Sequence, residues 1–273
     1  MTIFDVLHST REAGVSPDDA ALRDGYRRQV ADQLNIPDSM ASADVAARSA
    51  IGRDVLRHYR DYRKAFSWAG ITCAAEALRQ PEVATAVRKR GQSVDVRSCE
   101  ELTFVLSAGV PAPRIVMHDD GITAAPIRCA VNAGVGRLVL GCCQQQVAVL
   151  AGCAGRSQRV LVDVTTDCAS DTIAAVLGRP RLNLIGLHAR LTPEAPLTAY
   201  ADTVARMIAQ MAHIRREQDI ILTRVSLAGG DVLSDRTAAT GVLRGLAAEL
   251  EDAFDDACAR FRFPRPALVL APL

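Results

Sequence analysis

Two histidines, His118 and His188, fall at the ends of short aliphatic and β-branched runs, and an imidazole in such a place can serve as an acid, a base or a metal ligand. Asp119 and Asp120 follow His118 at once and add carboxylates, although Asp120-Gly121 also reads as an ordinary turn into a helix. Because each histidine stands on its own strand with a strand between it and its next candidate ligand, the reading is a structural role rather than a metal centre, and no metal is expected. Amine chemistry is the most restricted. Of the 32 basic residues only Lys64 and Lys89 are lysines, so any mechanism that needs a primary amine has those two side chains to draw on. Lys64 falls in a helical stretch, and Lys89 in Arg88-Lys89-Arg90-Gly91, a charged helix end followed by a glycine stop. The eight cysteines (Cys73, Cys99, Cys129, Cys142, Cys143, Cys153, Cys168, Cys258) lack the paired C-x-x-C spacing of a zinc or redox motif. Most are expected to be plain buried thiols.

The elements that must hold these residues follow from periodicity. Up to residue 66 the chain reads as helical. One helix is expected near residues 18–34, ending before Ile36-Pro37. A second runs from an N-cap at Ser42 to Phe66, with Val45, Ile51, Val55, Leu56, Tyr59, Tyr62 and Phe66 on one face. From Gly70 onward eight β-prone runs, at 71–74, 93–96, 114–118, 137–140, 159–164, 183–188, 221–227 and 267–271, alternate with amphipathic stretches. The clearest of these carries Leu243, Leu246, Leu250, Phe254 and Cys258. Eight apolar strands joined by helical crossovers predict a parallel sheet closed into a (β/α)8 barrel, an α/β fold, with an open doubly wound sheet as the alternative. The expected division is a helical extension at 1–66 and a barrel at 67–273. No helix follows the eighth strand, so part of the extension is expected to cover that gap or the barrel's end.

Net charge is +1, which gives no field to attract nucleic acid or a membrane surface. No run approaches the roughly 18 apolar residues of a membrane span, and the N-terminus does not read as a signal sequence. The cytoplasm is the expected location, with neither nucleic acid nor membrane as partner.

With the strands placed, several segments take on a familiar order. Ser93-Val94-Asp95-Val96-Arg97-Ser98-Cys99-Glu100-Glu101-Leu102 resembles the D-V-A/C-S-G-G-E-L that ends the second strand of the fold-type III pyridoxal-phosphate-dependent decarboxylases. These are the diaminopimelate and ornithine decarboxylase-like enzymes, built on the alanine-racemase-like barrel. The run from Ala108-Gly109-Val110-Pro111 to Arg114-Ile115-Val116-Met117-His118 is similar to that family's A-G-x-P-x-x-R-I-x-x-H. Ala133-Gly134-Val135-Gly136 and Leu184-Ile185-Gly186-Leu187-His188 resemble its A-G-V-G and L-x-G-L-H.

The resemblance implies a barrel without the family's C-terminal β-domain and pyridoxal phosphate as the ancestral cofactor. It also implies that several contacts to that cofactor are changed. Glu76, in Cys73-Ala74-Ala75-Glu76-Ala77, takes the place of the Schiff-base lysine, and a carboxylate cannot form an imine. Asp163 replaces an arginine on the fifth strand. Ser226-Leu227-Ala228-Gly229-Gly230-Asp231 replaces the D-L-G-G-G phosphate loop, keeping Gly229 and Gly230 as a vestige. Ala271-Pro272-Leu273 stands where the family reads E-P-G-R, whose glutamate meets the pyridinium nitrogen. His188 keeps the position that stacks on the cofactor ring. Aligned in this way, Glu76, Asp95, His118, Asp163, His188 and Asp231 converge on one acidic barrel mouth, which disfavours covalently bound pyridoxal phosphate and tolerates a small amine. The expected function is a catalytically degenerate, binding or regulatory relative whose partner is another protein, either an active decarboxylase or a second copy. The alternatives are an enzyme with reassigned acid/base chemistry at the mouth, a residual pyridoxal-phosphate-dependent amino-acid lyase, and a structural subunit assembling through residues 1–66.

Overall fold

The computed structural model describes residues 38–119, 124–141, 144–230 and 240–271. The expected helix at 18–34, Asp120, Cys142, Cys143, Asp231 and residues 272–273 lie outside them. The chain divides at Ala50/Ile51, with residues 51–273 forming one compact unit.

That unit is a parallel barrel. Strands β1 (Gly70–Ile71), β2 (Cys73–Ala74), β3 (Val94–Val96), β4 (Ile115–Asp119), β5 (Arg137–Leu140), β6 (Gln158–Asp163), β7 (Leu182–Leu191), β8 (Arg224–Gly229) and β9 (Ala267–Ala271) follow one another. Their order is β1-β9-β8-β7-β6-β5-β4-β3-β2. β1 and β2 are two halves of one strand interrupted at Thr72: the first pairs with β9 and the second with β3. The backbone N–H of Thr72 donates to Leu270 and that of Cys73 to Ser93, at 2.9 and 3.0 Å. The sheet is thereby closed, and the expectation of eight barrel strands holds. Crossovers are made by α2 (Pro81–Arg90), α3 (Cys99–Ser107), α4 (Ala124–Ala133), α5 (Gln144–Cys153), α6 (Ala169–Leu177), α7 (Leu197–Gln218) and α8 (Thr240–Phe261), preceded by the long helix α1 (Asp38–Ala65).

Apolar side chains separate into two groups, as the alternation of strand residues requires. Outward-facing residues such as Ile115, Met117, Leu138, Leu140, Val160 and Leu187 join the helices in one large core. Val116, Val139 and Leu161, with Ile185 against them, form a separate small cluster that lies inside the barrel. Leu243, Leu246, Leu250 and Phe254 of α8 are buried as their spacing predicts, each contributing about 1.5–3 kcal/mol of transfer free energy.

Three boundaries differ from the sequence reading by three residues or more. α1 begins at Asp38, so Ser42 falls inside the helix instead of capping it, since nothing from Asp38 to Ala41 breaks a helix. Ile51 is 50% exposed while Gly52 is buried, because Gly52 is the residue brought against Gln80 and Glu82. Downstream the stripe behaves as expected: Tyr59, Tyr62 and Phe66 enter the core, and Trp68 meets Phe254 edge-on at 5.9 Å. Residues 51–68 thus reach α2 through Gly52 on one side and α8 through Trp68 on the other. The seventh barrel strand starts at Arg224 rather than 221. Ile221 is exposed while Leu222 is buried, so this apolar run anchors a loop before the ladder begins. β7 continues to Leu191, which places His188 within a strand and not at its end.

Candidate functional site

Inward positions of adjacent strands bring three of the expected residues together. Asp95 of β3 is level with Val116, and His118 lies two residues further along β4 on the same inner side. One carboxylate oxygen of Asp95 accepts a hydrogen bond from the Thr72 hydroxyl. The other stands 3.3 Å from Nε2 of His118. The His118 and His188 rings meet edge-on, centroids 5.0 Å apart, and Nδ1 of His188 is 3.0 Å from the Ser226 hydroxyl. A continuous polar path therefore runs from β1/β2 through β3, β4 and β7 to β8. Ser226 and Thr72 were not singled out from sequence, although strand alternation from Ala228 and from Ala74 places both on the inner face.

His188 is fully buried and His118 is 3% exposed. Burial, and then the nearby His118, Arg190 and Arg97, hold the His188 imidazole well below its ordinary range, so it is neutral at pH 7. Nδ1 of His118 and Nε2 of His188 are buried without a hydrogen-bond partner among the described residues. The arrangement is rich in acceptors: a carboxylate and a neutral imidazole that can offer a lone pair. It can take or hold a proton and can receive a donor such as a protonated amine. Cys73 is no nucleophile, because burial pushes its thiol up to about 12.

The other expected site residues are placed elsewhere. Glu76 lies in the 3-10 turn after β2, where it is exposed. It lines a groove of about 370 Å3 with Asp54, Val55, His58 and Tyr59 of α1, outside the Asp95–His118–His188 path. The expected convergence of Glu76 on the histidines is corrected accordingly, because the turn carries it to the rim facing α1. Asp163 pairs with His188 in backbone register, yet its carboxylate accepts from the backbone N–H and hydroxyl of Thr165, at 2.9 and 2.6 Å. It closes its own turn instead of entering the mouth. Cys168 is disulfide-bonded, a departure from the plain-thiol reading, and Cys99 and Cys129 approach to 2.8 Å between sulfurs.

No cofactor is expected from the sequence, and pyridoxal phosphate, the ancestral cofactor that the resemblance implies, does not fit these residues. Lys64 on α1 and Lys89 at the end of α2 are both exposed, so the barrel interior carries no amine to form an imine. Gly229 and Gly230 adopt φ of +74° and +81°, conformations that favour glycine. Yet a Cβ on Gly229 would overlap the Leu191 carbonyl oxygen, and one on Gly230 the Tyr200 hydroxyl. Tyr200 donates to the Gly229 carbonyl at 3.1 Å. The turn is thus packed against protein. The ring face of His188, at zero exposure, is closed to a stacking partner. Among the described residues no group of three His, Cys, Asp or Glu side chains gathers to hold a metal ion, and no described helix is long and apolar enough to cross a membrane.

Comparison with known proteins agrees with this geometry at the level of the fold. Residues 52–176 match the family described as pyridoxal-dependent decarboxylase, pyridoxal binding domain. The chain is 28% identical to a diaminopimelate decarboxylase of Actinosynnema pretiosum subsp. auranticum over 78% of its own length and 54% of that enzyme. It is 37% identical to that of Mycobacterium leprae over 36% of this chain and 21% of the other. Among solved structures, a diaminopimelate decarboxylase from M. jannaschii superposes with a TM-score of 0.69 at 16% identity, covering 81% of this chain and 59% of that one. Lysine decarboxylase from Selenomonas ruminantium gives 0.67 at 16%, covering 81% and 59%. The chain spans about half the length of the Actinosynnema relative.

Proposed function

We propose, from the match of residues 52–176 to the pyridoxal-dependent decarboxylase barrel and the likeness to a diaminopimelate decarboxylase, that the chain is a member of that family that binds without decarboxylating, acting as a regulatory partner. One observation carries the reading: the chain has two lysines, and both are exposed on helices outside the barrel. Family chemistry rests on pyridoxal phosphate held as an imine, and an imine needs an amine at the mouth. Here the mouth holds Asp95, His118 and His188. That acceptor-rich set supports a small cationic amine as the ligand. The partner is an active decarboxylase of the same fold or a second copy of this chain.

The test is spectroscopic. Pyridoxal phosphate added to the purified chain should give no stoichiometric imine band that borohydride fixes, and no carbon dioxide should be released from diaminopimelate, lysine or ornithine. A fixed one-to-one adduct together with carbon dioxide release would overturn the reading. An alkyl diamine should bind, and Asp95→Asn should weaken it about tenfold, the effect of losing one charge-assisted hydrogen bond. Mixing with an active diaminopimelate decarboxylase should change that enzyme's mass in solution and its rate. The 3.3 Å approach of Asp95 to His118 favours a second reading, acid/base catalysis at the mouth. Turnover of an amino acid without cofactor, lost in Asp95→Asn, would establish it.

A further inference from the structure

At the opposite end of the barrel three arginines face the axis. Arg137 precedes Val139 by two residues, and Arg159 precedes Leu161 by two, so both share the inner side with the small apolar cluster. Leu138 pairs with Val160, which sets Arg137 and Arg159 side by side at the starts of β5 and β6. Arg224 opens β8 two residues before Ser226, whose hydroxyl meets His188 inside the barrel. A guanidinium nitrogen of Arg137 reaches across β4 to donate to Ser93 on the β3 side, at 2.9 Å. Such a span is available on the inner face.

Between Arg159 and Arg224 stands β7, and there the inner residue is Gly186, paired with Leu161 on one side and Arg224 on the other. A side chain at 186 would overlap the Arg224 carbonyl oxygen and crowd its Cβ. The glycine thus allows the backbone of β8 to pack closely against β7 at Arg224.

Other arginines at this end have an ordinary structural use. Arg88 donates to the Ala108 carbonyl, Arg156 to Gly134, Arg181 to Ala154 and Arg215 to Arg262, closing the C-terminal ends of helices and the loops after them. The inner three have no such partner. Among the described residues none of them forms an ion pair. Nε of Arg224 is buried without an acceptor. The opposite charge felt by Arg137 is Asp95, whose oxygens are already engaged by Thr72 and His118. Burial and mutual repulsion, Arg224 on Arg137 and Arg159 on both, weaken the hold of Arg137 and Arg224 on their protons. Arg159 is exposed, so the group is reached from solvent.

We propose that Arg137, Arg159 and Arg224 form a receptor for a small oxyanion bearing a phosphate group, entering from the N-terminal end of the barrel. Guanidinium forks match phosphate oxygens in pairs, and an anion there would supply the neutralising charge that the described residues do not. This site lies at the other end of the barrel from the mouth and stands independently of the function proposed above.

Titration calorimetry with inorganic phosphate, at ionic strength held constant with chloride, tests it. The expected result is one site per chain, weakened about tenfold in Arg159→Gln and lost in Arg159→Gln/Arg224→Gln. Arg63→Gln should bind as the parent does, since Arg63 belongs to a separate basic groove with Arg60, Lys64 and Arg90. A parallel titration with a phosphate monoester decides the source: tighter binding than inorganic phosphate identifies an esterified ligand, and equal or weaker binding the free ion. Circular dichroism of each variant confirms folding, and Arg159→Gln, changed at an exposed residue, keeps the test usable if the double variant unfolds. Absence of phosphate binding by the parent, or equal affinity in Arg159→Gln and the double variant, overturns the proposal.

Discussion

The two ends of the barrel hold opposite kinds of polar chemistry. At the C-terminal end Asp95, His118, His188 and Ser226 are linked into one buried path, with Thr72 closing it at Asp95. At the N-terminal end Arg137, Arg159 and Arg224 face the axis, without carboxylate partners among the described residues. The first end is buried and acceptor-rich, with Asp95 beside a His188 imidazole that burial keeps neutral, and Tyr200 packs against its glycine turn. The second is cationic and reaches water. In an α/β barrel chemistry is placed at the C-terminal face and stability at the other. Here the C-terminal end links its polar groups into one path and still leaves imidazole nitrogens without partners among the described residues, while a second, cationic set of groups faces the axis at the other end.

The largest effect should come from the glycine that separates the arginines. Gly186→Ala places a methyl into the backbone of Arg224, and a clash with main chain cannot be relieved by a rotamer change. It should cost about 3 kcal/mol, read as a lower urea midpoint with unchanged slope. A shift under about 1 kcal/mol would mean that β7 and β8 can separate, and that the N-terminal end is looser than the contacts imply.

At the mouth the corresponding test is pH. His188 has a folded pKa held below its unfolded value of about 6.5. The unfolded chain therefore binds the proton first as pH falls. The stabilisation is complete above about pH 6.5 and is lost below it, by up to about 1.4 kcal/mol per pH unit until the folded pKa is passed. His188→Gln should remove that share of the slope between about pH 6.5 and 5, measured by urea denaturation at each pH. An unchanged slope would mean that folding does not lower the His188 pKa, so that the imidazole gains its charge as readily as in the unfolded chain, which would make the mouth cationic below about pH 6.5 and erase the contrast between the ends.

How much of this could be read in advance differs between the two ends. Strand alternation and local motifs were enough to place Asp95, His118 and His188 on the barrel, because side-chain direction within a strand follows from parity. The same parity applied to Arg137, Arg159 and Arg224 would have turned them inward, but arginine at a strand start has a ready structural use, as Arg181 shows by donating to Ala154. Deciding between the two needs the partners, which are set by tertiary packing. Glu76 marks a further limit. Its place in the motif matched the lysine position, yet the chain leaves the sheet at Ala74 and turns into a 3-10 helix, so parity no longer governs where the side chain goes. β7 outran its expected end for the complementary reason: Ala189, Arg190 and Leu191 continue the ladder because β8 offers Leu227, Ala228 and Gly229 to pair with them.

The smallest expected effect belongs to Asp163, and it sharpens the boundary of the mouth. Its backbone is level with His188, so position alone would make it a third acidic member of that network. Its carboxylate is instead turned onto Thr165, taking both the backbone N–H and the hydroxyl, and an asparagine can accept those same two hydrogen bonds through its amide oxygen. Asp163→Asn should therefore change stability by no more than about 0.5 kcal/mol. The slope attributed to His188 and the affinity for an alkyl diamine should both stay as in the parent. Were Asp163 to face the histidines, removing its charge would lower the His188 pKa further and weaken a cationic ligand. The decisive measurement is the stability-against-pH curve of Asp163→Asn overlaid on the parent's. Coincident curves keep the mouth to Asp95 and the two histidines, while a steeper one in the variant would extend it to β6.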